Sequence, residues 1–312
     1  RTLEPIYEPV FEDSSYGYRP GCNQHQCLDA LGRTIQQKKV SYIVEADVQS
    51  FFDKVNWDWM IKFLRHRIGD ERVIRLIIRM LKSGIMEDGL TRATEEGTPQ
   101  GSILSPLLSN IYLHYVLDLW FTEVVKPRMR GKAVLVRYAD DAVFGFERRD
   151  DAERVRAVLE KRMARFNLRL NPDKTRLLDF RRPGKSRGGG KGPATFDFLG
   201  FTWYWRRTRR GWWSVACKTR RARLSRATKA VADWCRRHRH WPVKEQHAAL
   251  TRRIQGHFNY FGVNGNTESL KRLVDQVCRI WFKWLNRRSQ RSRLTWGRYK
   301  DLLRDFPLPT PR

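Results

Sequence analysis

VLVRYADDAVFGF, residues 134–146, decides the fold. Two apolar runs rich in β-branched and aromatic residues flank Ala139, Asp140 and Asp141, a pattern that predicts two strands joined by a tight turn. Buried carboxylates are costly unless a cation or a metal meets them, and Arg137 is the one basic residue close by in sequence. Asp is also a common turn former, so an acidic hairpin tip on its own has an ordinary explanation.

A second acidic strand end changes the balance. In VSYIVEADV (40–48) β-branched and aromatic residues dominate up to Asp47, and Asp53 follows shortly after. If this strand lies beside the hairpin, Asp47 and Asp140 converge. Carboxylates can then bridge two Mg²⁺ ions roughly 3.5–4 Å apart, the arrangement that serves in-line attack at phosphorus. Helices are predicted over 57–64, 71–81, 104–124 and 150–166, where apolar residues return at three- and four-residue intervals. Strand, helices and hairpin in this order predict an α+β layer, with helices packed on one face of a small antiparallel sheet.

Charge narrows the partner. The 312-residue chain carries a formal net charge of +29, so it suits a polyanion, and nucleic acid comes first. No apolar run reaches the roughly 18 residues of a spanning helix, and the expected location is the cytoplasm, with the nucleoid and without a membrane partner. The five cysteines contain no CxxC pair, which suggests neither a disulfide framework nor a zinc ribbon. Cys217, Cys235, His238 and His240 fit no common zinc spacing. From residue 206 onward, 28 Lys and Arg stand against six Asp and Glu. The join between the two parts is placed after the glycine-rich basic stretch RRPGKSRGGGKGP (181–193) and the strand-like TFDFLGFTWYW (195–205).

The series SYGYRPG (15–21), EADVQSFFDKV (45–55), EGTPQGSILSPLLSNIYL (96–113), RYADDAVFGF (137–146), LRLNPDKTRLL (168–178) and FDFLGFTW (196–203) resembles the ordered blocks of a reverse transcriptase, most of all the group II intron-encoded proteins. IQGHFNYFGVNGN (254–266) and WLNRRSQRSRLTWGRYKDLLRDFPLP (284–309) resemble the maturase segment, or domain X, that serves such enzymes as a thumb. The resemblance implies a right-hand polymerase palm over residues 39–205, a remnant of the fingers over 1–38, and an all-α basic thumb over 206–312. It implies RNA-directed DNA polymerase activity with two Mg²⁺ ions, on an RNA template with a DNA primer and deoxynucleoside triphosphates. It also implies binding of intron RNA in support of splicing. Two other roles remain compatible: an RNA-binding splicing cofactor that needs no chemistry, and a reverse transcriptase recruited to a CRISPR-linked system. The family's first two finger blocks have no counterpart here, so the chain is expected to be a fragment or truncated copy with reduced nucleotide affinity.

Under this resemblance Asp47, Asp140 and Asp141 are the metal-binding triad, and Asp53 holds the start of the helix that follows it. Phe52 falls where the family places a bulky side chain beneath the nucleotide sugar, excluding a 2′-hydroxyl; an ordinary core phenylalanine is the alternative. Gln100 helps hold the incoming nucleotide, with Gly97 and Gly101 allowing close backbone approach. Lys174 protonates the departing pyrophosphate, although a lone lysine is also an ordinary surface charge. Phe198, Leu199 and Gly200 brace the primer 3′ end, and Arg19 contacts template or nucleotide.

The last third reads as a clamp from its own residues. Leu270, Leu273, Val274, Val277, Trp281 and Trp284 recur at helical spacing, opposite Lys271, Arg272, Arg279 and Lys283. Leu224, Val231 and Trp234 behave similarly, with Arg221, Arg223, Arg226 and Lys229 around them. Basic residues facing outward would track phosphates, and those of the seven tryptophans here that stay exposed would stack on bases.

Overall fold

The computed structural model describes residues 3–82, 85–87, 90–92, 104–184, 194–289 and 294–311. The backbone divides into two compact units, one of residues 1–199 with 207–215 and one of residues 200–206 with 216–312.

The first unit is built on a four-stranded antiparallel sheet. Its strands are β1 (Tyr42–Ala46), β2 (Ala133–Tyr138), β3 (Asp141–Phe146) and β4 (Arg176–Asp179), in the spatial order β2-β3-β1-β4. The predicted hairpin is β2 and β3, with Tyr138 opposite Asp141. Only Ala139 and Asp140 therefore form the turn, and Asp141 is already the first residue of a strand. Alternation along the strands does what the pattern requires. Val44, Ala46, Leu135, Ala142, Phe144 and Phe146 point to one face and share a core with the helices.

Those helices are α1 (Gln24–Gln37), α2 (Trp57–Arg65), α3 (Glu71–Lys82), α4 (Ser105–Leu113) and α5 (Arg149–Arg165). Asn23 and Gln26 close a capping box at the start of α1. The helix expected over 104–124 continues past α4 through two π-helical stretches, His114–Asp118 and Trp120–Val125. The cap of α2 is Asn56, whose side chain accepts from Trp59 N–H at 3.1 Å. Asp53, expected at the start of this helix, lies three residues before that cap, inside the one-turn helix Phe51–Lys54.

Strands β5 (Phe196–Phe198), β6 (Phe201–Arg207) and β7 (Trp213–Thr219) pair in that order. Leu199 and Gly200 form the β5–β6 turn with φ of 50° and 79°. Positive φ at both positions is what a two-residue hairpin turn of the right twist demands. The second unit contains α6 (Arg221–Arg237), α7 (Val243–Phe261), α8 (Thr267–Leu285) and α9 (Trp296–Asp305). They close over Val231, Trp234, Leu250, Ile254, Leu273, Val277, Trp281 and Tyr299. Buried Gln246 ties the bundle together by accepting from Trp281 Nε1–H and donating to the carbonyls of His238, Arg239 and Trp241.

Candidate active site

Topology brings the acids together. β1 runs antiparallel between β3 and β4, so its carboxyl end lies beside the amino end of β3. Ala46 pairs with Ala142, which leaves Asp47 at the same sheet end as the Ala139–Asp140 turn and Asp141. The segment after α5 completes this end: Asn171 N–H donates to the Asp47 carbonyl at 2.8 Å, and Gln49 N–H donates to that of Arg169 at 2.8 Å. The 171–174 turn then delivers Lys174, whose ammonium lies 3.1 and 3.0 Å from the two carboxylate oxygens of Asp47.

Electrostatics follow from this convergence. Burial pushes the Asp140 carboxyl above its ordinary value, and the Asp47 charge pushes in the same direction. The backbone N–H of Asp140, Arg137 and Lys174 pull it back. Like charges held this close call for a cation nearby, and Lys174 supplies one to Asp47. Among the described residues no three carboxylate, thiolate or imidazole groups are gathered as a ready-made ion site. The carboxylate oxygens of Asp47 and Asp140 are nevertheless hard donors of the kind a divalent cation takes.

The other expected residues separate into those at this sheet end and those elsewhere. Phe51 enters the core, whereas Phe52 stays half-buried against it, edge-on to the Phe51 ring at 5.5 Å. Phe198 is buried, and Leu199 and Gly200, both half-buried, form the turn after it. Arg19 is committed to its own segment. Its guanidinium meets Glu8 through Nε–H at 3.0 Å and Nη2–H at 2.8 Å, and donates to the carbonyls of Glu12 and Ser15, each at 2.8 Å. To reach template or nucleotide as expected, Arg19 would have to give these bonds up. Gln100, Gly97 and Gly101 lie outside the described residues.

Two residues at this sheet end lie in the quoted blocks but were not singled out in the sequence. Glu45, on the same face of β1 as Asp47, is buried, pairs with Arg176 at 2.8 Å and accepts from Asp197 N–H at 2.8 Å. Burial raises its carboxyl, and the Asp197 N–H and Arg176 oppose the rise. Glu45 thus fastens β5, which carries Phe198, to β1, the strand that leads into Asp47. Tyr18 is half exposed, and its phenol is pushed up by burial and by the Asp140 charge. Its membership of the SYGYRPG block was the only available signal.

In the second unit Arg221, Arg223, Arg226 and Lys229 are all exposed along α6. Lys271 and Arg272 are exposed on α8, where Arg272 also meets Glu268 at 3.4 Å.

The family model for reverse transcriptase (RNA-dependent DNA polymerase) matches residues 1–203. Protein YkfC of Escherichia coli strain K12 is 35% identical over 208 residues, covering 56% of this chain and 54% of YkfC. The group II intron-encoded protein LtrA of Lactococcus lactis subsp. cremoris is 43% identical over 121 residues, covering 38% of this chain and 20% of LtrA. The chain thus spans about half the length, or less, of these curated relatives. A telomerase from Candida albicans, solved with a TWJ fragment of telomeric RNA, aligns over 98% of this chain and 49% of its own at a TM-score of 0.53 and 12% identity. That likeness is one of fold, a palm of helices on an antiparallel sheet with a helical domain after it. With the family's match running over the acidic sheet end and every strand that builds it, this chain belongs to the reverse transcriptase family.

Proposed function

We propose that the chain acts as an RNA-directed DNA polymerase of the group II intron type, extending a DNA primer on an RNA template with deoxynucleoside triphosphates, and that it binds its intron RNA as a maturase. The observation that carries the reading is the meeting of Asp47, Asp140 and Lys174 at one sheet end from segments 127 residues apart at the extremes.

Asp47, Asp140 and Asp141 are the residues that would hold two Mg²⁺ ions. When bound, the ions would supply activation of the primer 3′-hydroxyl and neutralise charge on the departing phosphate oxygens. The chain's own groups do the rest. Lys174 carries a proton at Nζ beside Asp47 and acts as general acid toward the pyrophosphate. Phe52 fills the space of a 2′-hydroxyl and so favours deoxynucleotides. Phe198, Leu199 and Gly200 steady the primer, their strand held by Glu45. Arg221, Arg223, Arg226, Lys229, Lys271 and Arg272 neutralise RNA phosphates and release counterions. The maturase role is favoured by the charge itself, since 22 of the 29 net positive charges lie from residue 206 onward. The proposed setting is the bacterial cytoplasm, at the nucleoid.

Primer extension on an RNA template tests the reading. Asp140→Ala is expected to abolish extension while leaving RNA affinity within about threefold of the parent, because the basic residues that meet phosphates are untouched. Substantial extension by this variant at saturating Mg²⁺ would rule the assignment out.

A further inference from the structure

Arg137 precedes the acidic turn by two residues, yet its side chain points away from the acids, into the helix side of the sheet, and is fully buried. There it meets Asp118, also fully buried, in a two-pronged pair: Nε–H donates to Oδ1 at 2.8 Å and Nη2–H to Oδ2 at 2.6 Å. A buried ion pair of this kind adds little stability that apolar side chains of similar volume would not supply. The remaining donors show another use. Nη1 donates to the Ala139 carbonyl at 2.7 Å and to Asn110 Oδ1 at 3.0 Å, and Asn110 Nδ2 donates to the Gly17 carbonyl at 2.5 Å.

One of these bonds lands on the turn itself, and the others fix the side chains and the Gly17 segment around it. Ala139 sits at φ 55°, a left-handed conformation that a residue with a side chain adopts only when its surroundings require it. Gly17 lies flat on the same residue, since a Cβ there would come 2.3 Å from Ala139 N and 2.9 Å from its Cα. Main-chain bonds extend the clamp: Arg137 N–H donates to the Ser14 carbonyl at 2.8 Å, and Tyr16 N–H to that of Arg137 at 2.9 Å. Asn110 and Asp118 are eight positions apart, which an unbroken α-helix would turn about 80° from each other. The π-helical stretch His114–Asp118 advances less per residue and turns both side chains toward Arg137.

We infer that Arg137, with Asp118, Asn110 and Gly17, is a positioning device that holds the Ala139–Asp140 turn in the geometry Asp140 and Asp141 need to bind divalent metal. The inference rests on the polymerase reading for its purpose and on the metal affinity of the acids for its test. Arg137→Met combined with Asp118→Leu removes both buried charges together. The paired variant is expected to fold and to unfold somewhat below the parent's temperature, since the Ala139 carbonyl and Asn110 Oδ1 lose a donor, to bind Mn²⁺ about 10- to 100-fold more weakly in a titration followed by electron paramagnetic resonance, and to need correspondingly more Mg²⁺ for extension. RNA affinity and its salt slope should not change. Arg137→Lys should not restore the metal affinity, because an ammonium cannot make two parallel bonds to Asp118 and still reach Ala139 and Asn110. Gly17→Ala should weaken Mn²⁺ binding in the same direction by pushing directly on Ala139.

A folded paired variant with the parent's Mn²⁺ affinity would overturn the inference. If that variant does not fold, a folded Gly17→Ala protein with the parent's Mn²⁺ affinity overturns it instead. A parent that binds Mn²⁺ but extends no primer would count against the polymerase reading, while the Mn²⁺ comparison would still decide the positioning role.

Discussion

His114 is enclosed by Phe11, Tyr115 and the field of Asp118 and Arg137, with no partner for its Nδ1 among the described residues. Burial is the main cause that brings its pKa down to about 4, so it is neutral in the folded protein. Because the folded value lies below the unfolded one of roughly 6.5, the stability is fully present above that pH and is lost as pH falls toward 4. The gap is worth of order 3 kcal/mol. Urea unfolding at a series of pH values should show His114→Leu losing that part of the slope between pH 6.5 and 4; an unchanged slope would place the titration elsewhere. Phe52 makes a prediction of a different kind. If it lies beneath the sugar, Phe52→Ala should incorporate ribonucleotides about tenfold or more better relative to deoxynucleotides. A folded variant with unchanged discrimination returns Phe52 to the margin of the core. What single residues revealed in sequence was uneven. Asp47 and Asp140 were legible because strand ends rich in β-branched residues exposed them. Arg19 was legible only as a block member, since the sequence does not show that Glu8 and two carbonyls would meet its fork.

At the scale of elements, β1 and the β2–β3 hairpin were readable because apolar runs bounded by acids have few other solutions. The π-helical continuation of α4 was not readable. Apolar residues recur through 104–124 at spacings that serve α and π turns alike, and nothing in that run marks Asp118 as the partner of Arg137, 19 positions later. The inward face of α6 was legible for the same periodic reason, and its outward face carries a prediction. Replacing Arg221, Arg223, Arg226 and Lys229 with Gln should weaken RNA binding and flatten its salt dependence by roughly 0.7 to 0.9 in the log–log slope for each phosphate left without its cation. The same change at Lys271 and Arg272 should have the smaller effect per residue, because Glu268 already meets part of the Arg272 charge. Filter binding across a salt series measures both. A fourfold-substituted α6 with the parent's slope would mean that this helix faces protein.

The whole molecule joins a unit built around carboxylates to one dominated by cations, and each has its own core. Chemistry and grip should therefore vary independently. Substitutions with separate partners and no shared network usually add in free energy within about 0.5 kcal/mol. Phe52→Ala changes which sugar the acidic sheet end accepts, and the four α6 substitutions change how many phosphates are neutralised, so a protein carrying both sets should show both effects at their single-set sizes. Sugar discrimination should match that of Phe52→Ala alone, and the salt slope should match that of the α6 variant alone. Processivity should fall with the α6 set whichever residue occupies position 52, since escape from the template depends on how firmly its phosphates are held. The measurement is a four-protein cycle read by single-nucleotide incorporation, run-off length and filter binding on one template. Coupling well beyond that limit would show that the basic helices help shape the nucleotide site, and the division of labour argued from charge and core would then have to be given up.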